Sequence, residues 1–225
     1  MPPCPLDEIE TWVFDLDNTL YAPSASIYRQ VEERMNEFIM SELKLEREAA
    51  QALRRRFFEA HGTTLRGLMN EYGMPPGPFL DYCHDLDLSP LARDERLAAA
   101  IAALPGRKLI FTNATVSYAG RVLAQLGLEA QFSAIHDIEA CNFVPKPDPS
   151  GYHVLLERYG VRPARSAMIE DVAKNLVPAA ALGMTTIWLK SGPLAKAADG
   201  DSAHIHHAID DLHAFLADAV RTAAG

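Results

Sequence analysis

Cysteine is scarce in this 225-residue chain: Cys4, Cys83 and Cys141 are few, odd in number and far apart. Neither a disulfide framework nor a zinc-ligand spacing follows from them, and the natural expectation is a reducing, cytoplasmic setting. The N-terminus lacks a basic start followed by an apolar stretch, so no signal peptide is expected. No apolar run approaches the roughly 18 residues that a membrane span requires, so no membrane is expected as a partner. Basic residues are outnumbered, 21 Lys and Arg against 30 Asp and Glu, for a formal net charge of −9. They form no patch, which argues against a nucleic-acid polymer, whose backbone demands clustered cations. A single small phosphate ester is not excluded, because one lysine and a metal ion can neutralise it locally. With 48% hydrophobic and 23% charged residues, the composition is that of an ordinary globular protein, long enough for one large domain or a core with a smaller insert.

What the sequence does have is concentrated first at residues 12–21, WVFDLDNTLY. The short apolar run Trp12-Val13-Phe14 reads as a buried strand. Side chains alternate along a strand, so Asp15 and Asp17 leave its end pointing the same way. Two carboxylates this close repel, and no basic residue adjoins them; a divalent cation is the usual remedy. A solvent-facing turn would also carry such a pair. An EF-hand loop fits poorly, since Thr19, Leu20 and Ser26 stand where it needs an acid or amide, a glycine and a glutamate.

Residues 22–93 read as helical throughout. Apolar residues recur at helical spacing over 24–44 (Ile27, Val31, Met35, Phe38, Ile39), and a second helix covers about 46–60 with Leu53, Phe57 and Phe58. Thr63 or Thr64 can cap a third that Gly73 closes; residues 75–78 punctuate before a fourth over 79–84. Beyond residue 94 strands and helices alternate. Helices are expected at 94–104, 117–126, 148–160, after Asp171 to 182, and 210–222. Strands are expected at 108–112, 133–136, 167–169, 185–189 and 204–208, with a loop over 191–202. This pattern predicts an α/β fold: a Rossmann-like parallel sheet with helices on both faces, formed by residues 1–21 and 94–225, plus an all-helical cap, residues 22–93, inserted after the first strand. In such sheets ligands bind beyond the carboxyl ends of the strands. Asp15 and Asp17, Thr112 and Asn113, and Glu170 and Asp171 all fall at such ends. Lys146 lies in the loop before the helix that Asp148-Pro149 starts. These separate stretches can converge on one site.

That set suits phosphoryl transfer. A carboxylate can attack as nucleophile and a second can protonate the leaving oxygen and later activate water. Thr112 can donate to a phosphoryl oxygen, while Lys146 and Mg²⁺ neutralise its charge. His204, His206 and His207 have no further donors at ligand spacing, so no second metal site is expected there.

In this order FDLDNTLY, FTNA, KPDP and IEDVAKN resemble the haloacid dehalogenase-like hydrolase superfamily, over about residues 10–215. The first two motifs, TLRGLMNEYG within the insert, and RVLAQLGL look most like its bacterial and fungal pyrimidine 5′-nucleotidase branch. The resemblance implies that Asp15 is the nucleophile and a Mg²⁺ ligand, and Asp17 the general acid/base with a backbone carbonyl on the metal. It implies phosphate-binding roles for Thr112, with Asn113 beside it, and for Lys146, and a metal-binding role for Asp171. Glu170 stands where many relatives carry Gly or Asp, and Asn175 replaces a second acid, so both are secondary candidates. The implied activity is a Mg²⁺-dependent phosphomonoesterase acting on a small phosphate monoester, a pyrimidine nucleoside 5′-monophosphate in the closer resemblance. A sugar-phosphate phosphatase or a phosphomutase would share the site. A dehalogenase would leave Asp17 and Asp171 without a task, and a non-catalytic phosphate-binding scaffold would have no reason to retain these acids together. Tyr28, Phe57, Phe58, His61 and Tyr72 of the insert are candidate contacts for a base.

Overall fold

The computed structural model describes residues 3–190 and 202–223. β1 (Thr11–Phe14) lies inside a six-stranded sheet with β2 (Arg107–Phe111), β3 (Ala134–His136), β4 (Ser166–Glu170), β5 (Thr185–Leu189) and β6 (His207–Ile209), in the order β3-β2-β1-β4-β5-β6. Every pairing is parallel. The order reverses at β1, whose neighbours β2 and β4 leave it in opposite directions, and β1 is flanked on both sides.

Alternation along the strands sorts the core into two layers. Trp12, Phe14, Ile110, Ala167 and Ile169 face one way, against Leu97 and Ile101 of α5 (Glu95–Ala103), Tyr118 and Val122 of α6 (Val116–Leu126) and Leu212 and Leu216 of α9 (Leu212–Ala223). Val13, Leu109, Phe111 and Met168 face the other, against Tyr152 and Leu155 of α7 (Pro149–Tyr159) and Leu176 and Ala179 of α8 (Leu176–Ala181). The parallel sheet covered on both faces is as expected.

Between β1 and α5 four helices pack on one another: α1 (Ile27–Leu43), α2 (Arg47–His61), α3 (Thr64–Tyr72) and α4 (Pro76–His84). The Thr63 side chain caps α3 by accepting from Arg66 N, as a helix start of this kind requires. Residues 75–78 do more than punctuate: α4 begins at Pro76, because the first helical turn tolerates a residue with fixed φ and no N–H. The insert has its own core of Phe38, Ile39, Phe57, Leu68 and Phe79, joined by Ile138 from the loop after β3. Its ends are different. Ile27 and Val31 at the start of α1, and Leu86 and Leu91 after α4, belong to the sheet's own apolar layer. At Gly67 α3 lies directly against Phe57 of α2. A Cβ there would lie 2.2 Å from Phe57 Cγ, so any larger residue forces the two helices apart.

Two further expectations differ. The last strand is shorter and later than 204–208; His204 and His206 are tied to β5 at Thr186, whose Oγ1 donates to His204 O (2.6 Å) and whose N donates to His206 Nδ1 (3.0 Å). The stretch after Asp171 starts as a 3-10 turn (Ala173–Asn175) before α8. Residues 191–201, read as a loop, lie outside the described residues. Among those described, no helix is long and apolar enough to cross a membrane, and the three cysteines are free.

Candidate active site

Strand register brings Asp15 to the middle of the site. Phe14 is paired with Ile110 and Ile169, so the next residue stands between Phe111 and Glu170. The ladder runs one residue further, Asp15 N donating to Ile169 O at 2.9 Å. Asn18 then takes a left-handed conformation (φ 63°), which Asn tolerates better than most residues. The turn folds back so that the Thr19 hydroxyl donates to Asp15 Oδ2 (3.1 Å).

Lys146 fills the space between the strand ends. Its ammonium donates to Asp15 Oδ1 (2.7 Å), Glu170 Oε2 (2.7 Å) and Phe111 O (2.8 Å). A lysine has three N–H donors, and all three are engaged. The backbone at Lys146 is held by Asn113, whose Oδ1 accepts from Lys146 N at 2.8 Å. Asn113 thus braces the lysine. Thr112, 1% exposed, accepts from Ala114 N through Oγ1 at 3.0 Å, leaving its hydroxyl proton available.

Asp15, Glu170 and Asp171 are buried, with one oxygen from each within 4.8 Å of the others. Among the described residues only one cation, Lys146, is bonded into this group. Burial, followed by repulsion from Glu170, pushes the carboxyls of Asp15 and Asp171 above the usual range. Burial acts to lower the Lys146 pKa, but attraction to Asp15 and Glu170 outweighs it and raises it. Three acids against one lysine leave an excess of buried negative charge, which a hard divalent cation with oxygen ligands would offset. The donor set therefore fits Mg²⁺, with Glu170 a member of it. Asn175 is buried, and its Oδ1 has no hydrogen-bond partner among the described residues. It lines the same cavity.

Asp17 is placed apart from that acid group. Its Oδ1 accepts from two phenols, Tyr21 (2.5 Å) and Tyr118 (2.8 Å). Burial raises its pKa while these two bonds act to lower it. Tyr118 stacks on His84 at the end of α4, ring centroids 4.6 Å apart.

These groups open onto a cavity of about 490 Å³ between the strand ends and the insert. Asp15, Asp17, Thr112, Asn113, Lys146, Glu170, Asp171 and Asn175 all reach its wall, so the residues expected from the four motifs converge. From the insert, Tyr28 and Phe58 line it, with Arg54, Arg55 and Glu59. The other candidates do not. Phe57 is fully buried in the insert's core and Tyr72 is exposed elsewhere, since each helix has only one face toward the cavity. His61 bonds Glu71 at 2.8 Å. Tyr118 was not foreseen as a site residue. It lies 101 positions from Asp17, and the helix that carries it reads simply as amphipathic.

The model of the haloacid dehalogenase-like hydrolase family matches residues 9–183. The chain belongs to that family. Among curated proteins this haloacid dehalogenase-like hydrolase is 26% identical over 193 residues to phosphate metabolism protein 8 of Saccharomyces cerevisiae, covering 78% of this chain and 60% of the yeast protein's length. Among solved structures it is similar to CbbY from Rhodobacter sphaeroides in complex with xylulose-(1,5)bisphosphate (TM-score 0.64, 17% identity, 90% of this chain and 94% of that one). It is similar also to L-2-haloacid dehalogenase from Xanthobacter autotrophicus with chloropropionic acid covalently bound (TM-score 0.57, 17% identity, 96% and 99%). At these identities the structural likenesses establish the fold; the site's chemistry rests on its own residues.

Proposed function

We propose that the chain is a Mg²⁺-dependent phosphomonoesterase that passes the phosphoryl group of a small ester through Asp15 to water. The observation that carries this reading is the joint presence of the buried Asp15–Glu170–Asp171 group with Lys146 bonded into it, and a second, separately held carboxylate at Asp17. A dehalogenating site would have no task for these further acids. In the proposed course an Asp15 oxygen attacks phosphorus as the ester P–O bond breaks, and Asp17 gives its proton to the departing oxygen. Water then attacks the phosphoryl group on Asp15, gives a proton to Asp17, and releases inorganic phosphate and free Asp15. Thr112 donates to a phosphoryl oxygen. Lys146 holds Asp15 in position and offsets negative charge. Asp15, Asp171 and Glu170 would hold the metal ion, with the backbone carbonyl of Asp17; once bound it neutralises the phosphoryl oxygens.

Within this class we infer a pyrimidine nucleoside 5′-monophosphate as substrate. The motif resemblance supports it, as do Tyr28 and Phe58, which give the cavity aromatic surface for a flat base. The helical insert, residues 22–93, is then a cap that discriminates leaving groups, because the phosphoryl site is common to all monoesters. A sugar phosphate is the second reading: the CbbY neighbour holds a sugar bisphosphate, and Arg54, Arg55 and Lys174 on the wall could pair with a second anionic group.

The test is phosphate release from UMP, CMP, AMP, GMP and sugar mono- and bisphosphates, with Mg²⁺ and after chelation, for the native protein and Asp15→Asn. Metal-dependent release lost by several orders of magnitude in the folded variant is expected. Release by Asp15→Asn at more than a few per cent of native would overturn the covalent route.

A further inference from the structure

Asp17 is held by one oxygen only. Tyr21 and Tyr118 both donate to Oδ1, from separate elements: Tyr21 from the turn after β1, Tyr118 from α6. The two hydroxyls are 3.4 Å apart, so they form a compact pair on a single acceptor. Both rings are buried, Tyr21 at 8% and Tyr118 at 2% exposure. Oδ2 accepts no hydrogen bond among the described residues, and Asp17 lines the cavity. A carboxylate bonded by two donors at one oxygen is restricted in rotation, and its other oxygen is left without a donor among the described residues.

We propose that Tyr21 and Tyr118 are positioning residues that clamp Asp17 by Oδ1 and present Oδ2 to the leaving-group oxygen. This rests on the phosphomonoesterase reading of the same site. Neither phenol needs to touch the substrate or give up its proton. Both hydroxyls already donate to Oδ1. Proton transfer demands hydrogen-bond geometry at the reacting atoms, and a loosely rotating carboxyl would meet it less often. The clamp also reaches the insert. Tyr118 stacks on His84, and Arg121, one turn along α6, donates to the backbone carbonyl of His84. The end of α4 therefore bears on one of the two clamping rings.

The inference predicts a loss that depends on the leaving group, which a merely structural role would not give. Tyr21→Phe, Tyr118→Phe and Asp17→Asn should be compared by kcat/KM on phenyl phosphate and p-nitrophenyl phosphate, which differ mainly in how much protonation the departing oxygen needs. The kcat/KM value reports the steps up to its departure. Each Tyr→Phe change is expected to lose roughly tenfold on phenyl phosphate and under about threefold on p-nitrophenyl phosphate, a fraction of what a general acid supplies. Asp17→Asn should show the same pattern more strongly. Equal losses on the two esters in the tyrosine variants, with a leaving-group-dependent loss in Asp17→Asn, would overturn the clamp and leave the phosphatase reading intact. An Asp17→Asn variant with no leaving-group dependence would remove the clamp together with the general-acid role of Asp17, while phosphate release from the nucleotides and sugar phosphates decides the phosphomonoesterase reading separately. Should native protein cleave neither aryl ester, the same variants are compared on whichever of those substrates it cleaves, where folded Tyr→Phe variants with no loss in kcat/KM would overturn the clamp. Should Tyr118→Phe fail to fold, Tyr21→Phe tests the same oxygen from the other side.

Discussion

Lys146 Nζ donates to Asp15 Oδ1 at 2.7 Å, and both side chains are nearly inaccessible, 2% and 9% exposed. Lys146→Met would leave Asp15 and Glu170 buried without their shared cation. Breaking a buried pair from one side costs about 3–5 kcal/mol, which in a chain of this size lowers Tm by roughly 10 °C. Thermal unfolding at fixed Mg²⁺ checks it. A melting point within about 2 °C of native would mean that the ion pair contributes little to the fold. Lys146→Arg should not rescue activity, because a planar fork cannot reach three converging acceptors as an ammonium does.

A second expectation concerns the metal. If Asp15, Glu170 and Asp171 share a cation, Mg²⁺ at a hundred times its Kd should stabilise the protein by about 2.7 kcal/mol. Ca²⁺ should do so less well, since it prefers larger and looser coordination. Asp171→Asn should have opposite effects in the two states. It removes a buried acid that repels its neighbours, so the metal-free protein melts higher; it removes a ligand, so the Mg²⁺-dependent rise shrinks. A rise as large in Asp171→Asn as in the native protein would place the ion elsewhere.

The placement of Asp15, Thr112, Lys146 and Asp171 was legible because strand ends of a parallel sheet face one edge, and each residue follows an apolar run that reads as a strand or precedes a well-marked helix start. The engagement of all three Lys146 donors was not legible, since it depends on the register that sets Phe111 and Glu170 beside Asp15. Nor was the Asp17–Tyr118 bond, which joins two distant helix and turn positions with no pattern in common. Phe57 and Phe58 show the same limit on a smaller scale. They are adjacent on one helix, yet one closes the insert's core against Gly67 and the other lines the cavity. Periodicity marks both as apolar; only packing decides which face each takes.

His84 supplies a pH test. Burial, with Arg121 nearby, lowers its pKa from 6.5 to about 4. An unfolded chain protonates this ring near pH 6.5 while the folded one resists until about pH 4. Its contribution to stability is therefore complete above 6.5 and is lost as pH falls through that window, about 3 kcal/mol in all. The difference in unfolding free energy between native protein and His84→Gln, followed by denaturant titration from pH 7.5 to 4.5, isolates this from the buried carboxyls, which shift stability in the opposite sense. A difference that stays constant with pH would show that the ring takes up its proton in the fold as it does in the unfolded chain, and so is not held away from water.

The last expectation separates two neighbouring phenylalanines. Phe58 lines the cavity and carries Lys174 Nζ 4.9 Å from its ring centroid, whereas Phe57 packs inside the insert. On the nucleotide reading, a cavity closed by the cap accepts a single-ring base and excludes a purine by overlap. A size mismatch is worth about 1–3 kcal/mol, so UMP and CMP should exceed AMP and GMP at least tenfold in kcat/KM. Stacking on an aromatic face adds about 0.5–1.5 kcal/mol. Phe58→Ala should therefore raise KM for UMP several-fold, leave kcat nearly unchanged, and narrow the pyrimidine preference while the melting point holds. Phe57→Ala should instead lower the melting point, because it empties a packed core at a cost of about 3–5 kcal/mol. Steady-state kinetics on the four nucleotides, beside thermal melts of both variants, decide the matter. If native protein cleaves purine nucleotides as well as pyrimidine ones, or Phe58→Ala leaves KM unchanged, the base has no contact with this wall. The phosphoryl chemistry at Asp15 would then stand, and Arg54, Arg55 and Lys174 would become the residues to vary against sugar phosphates.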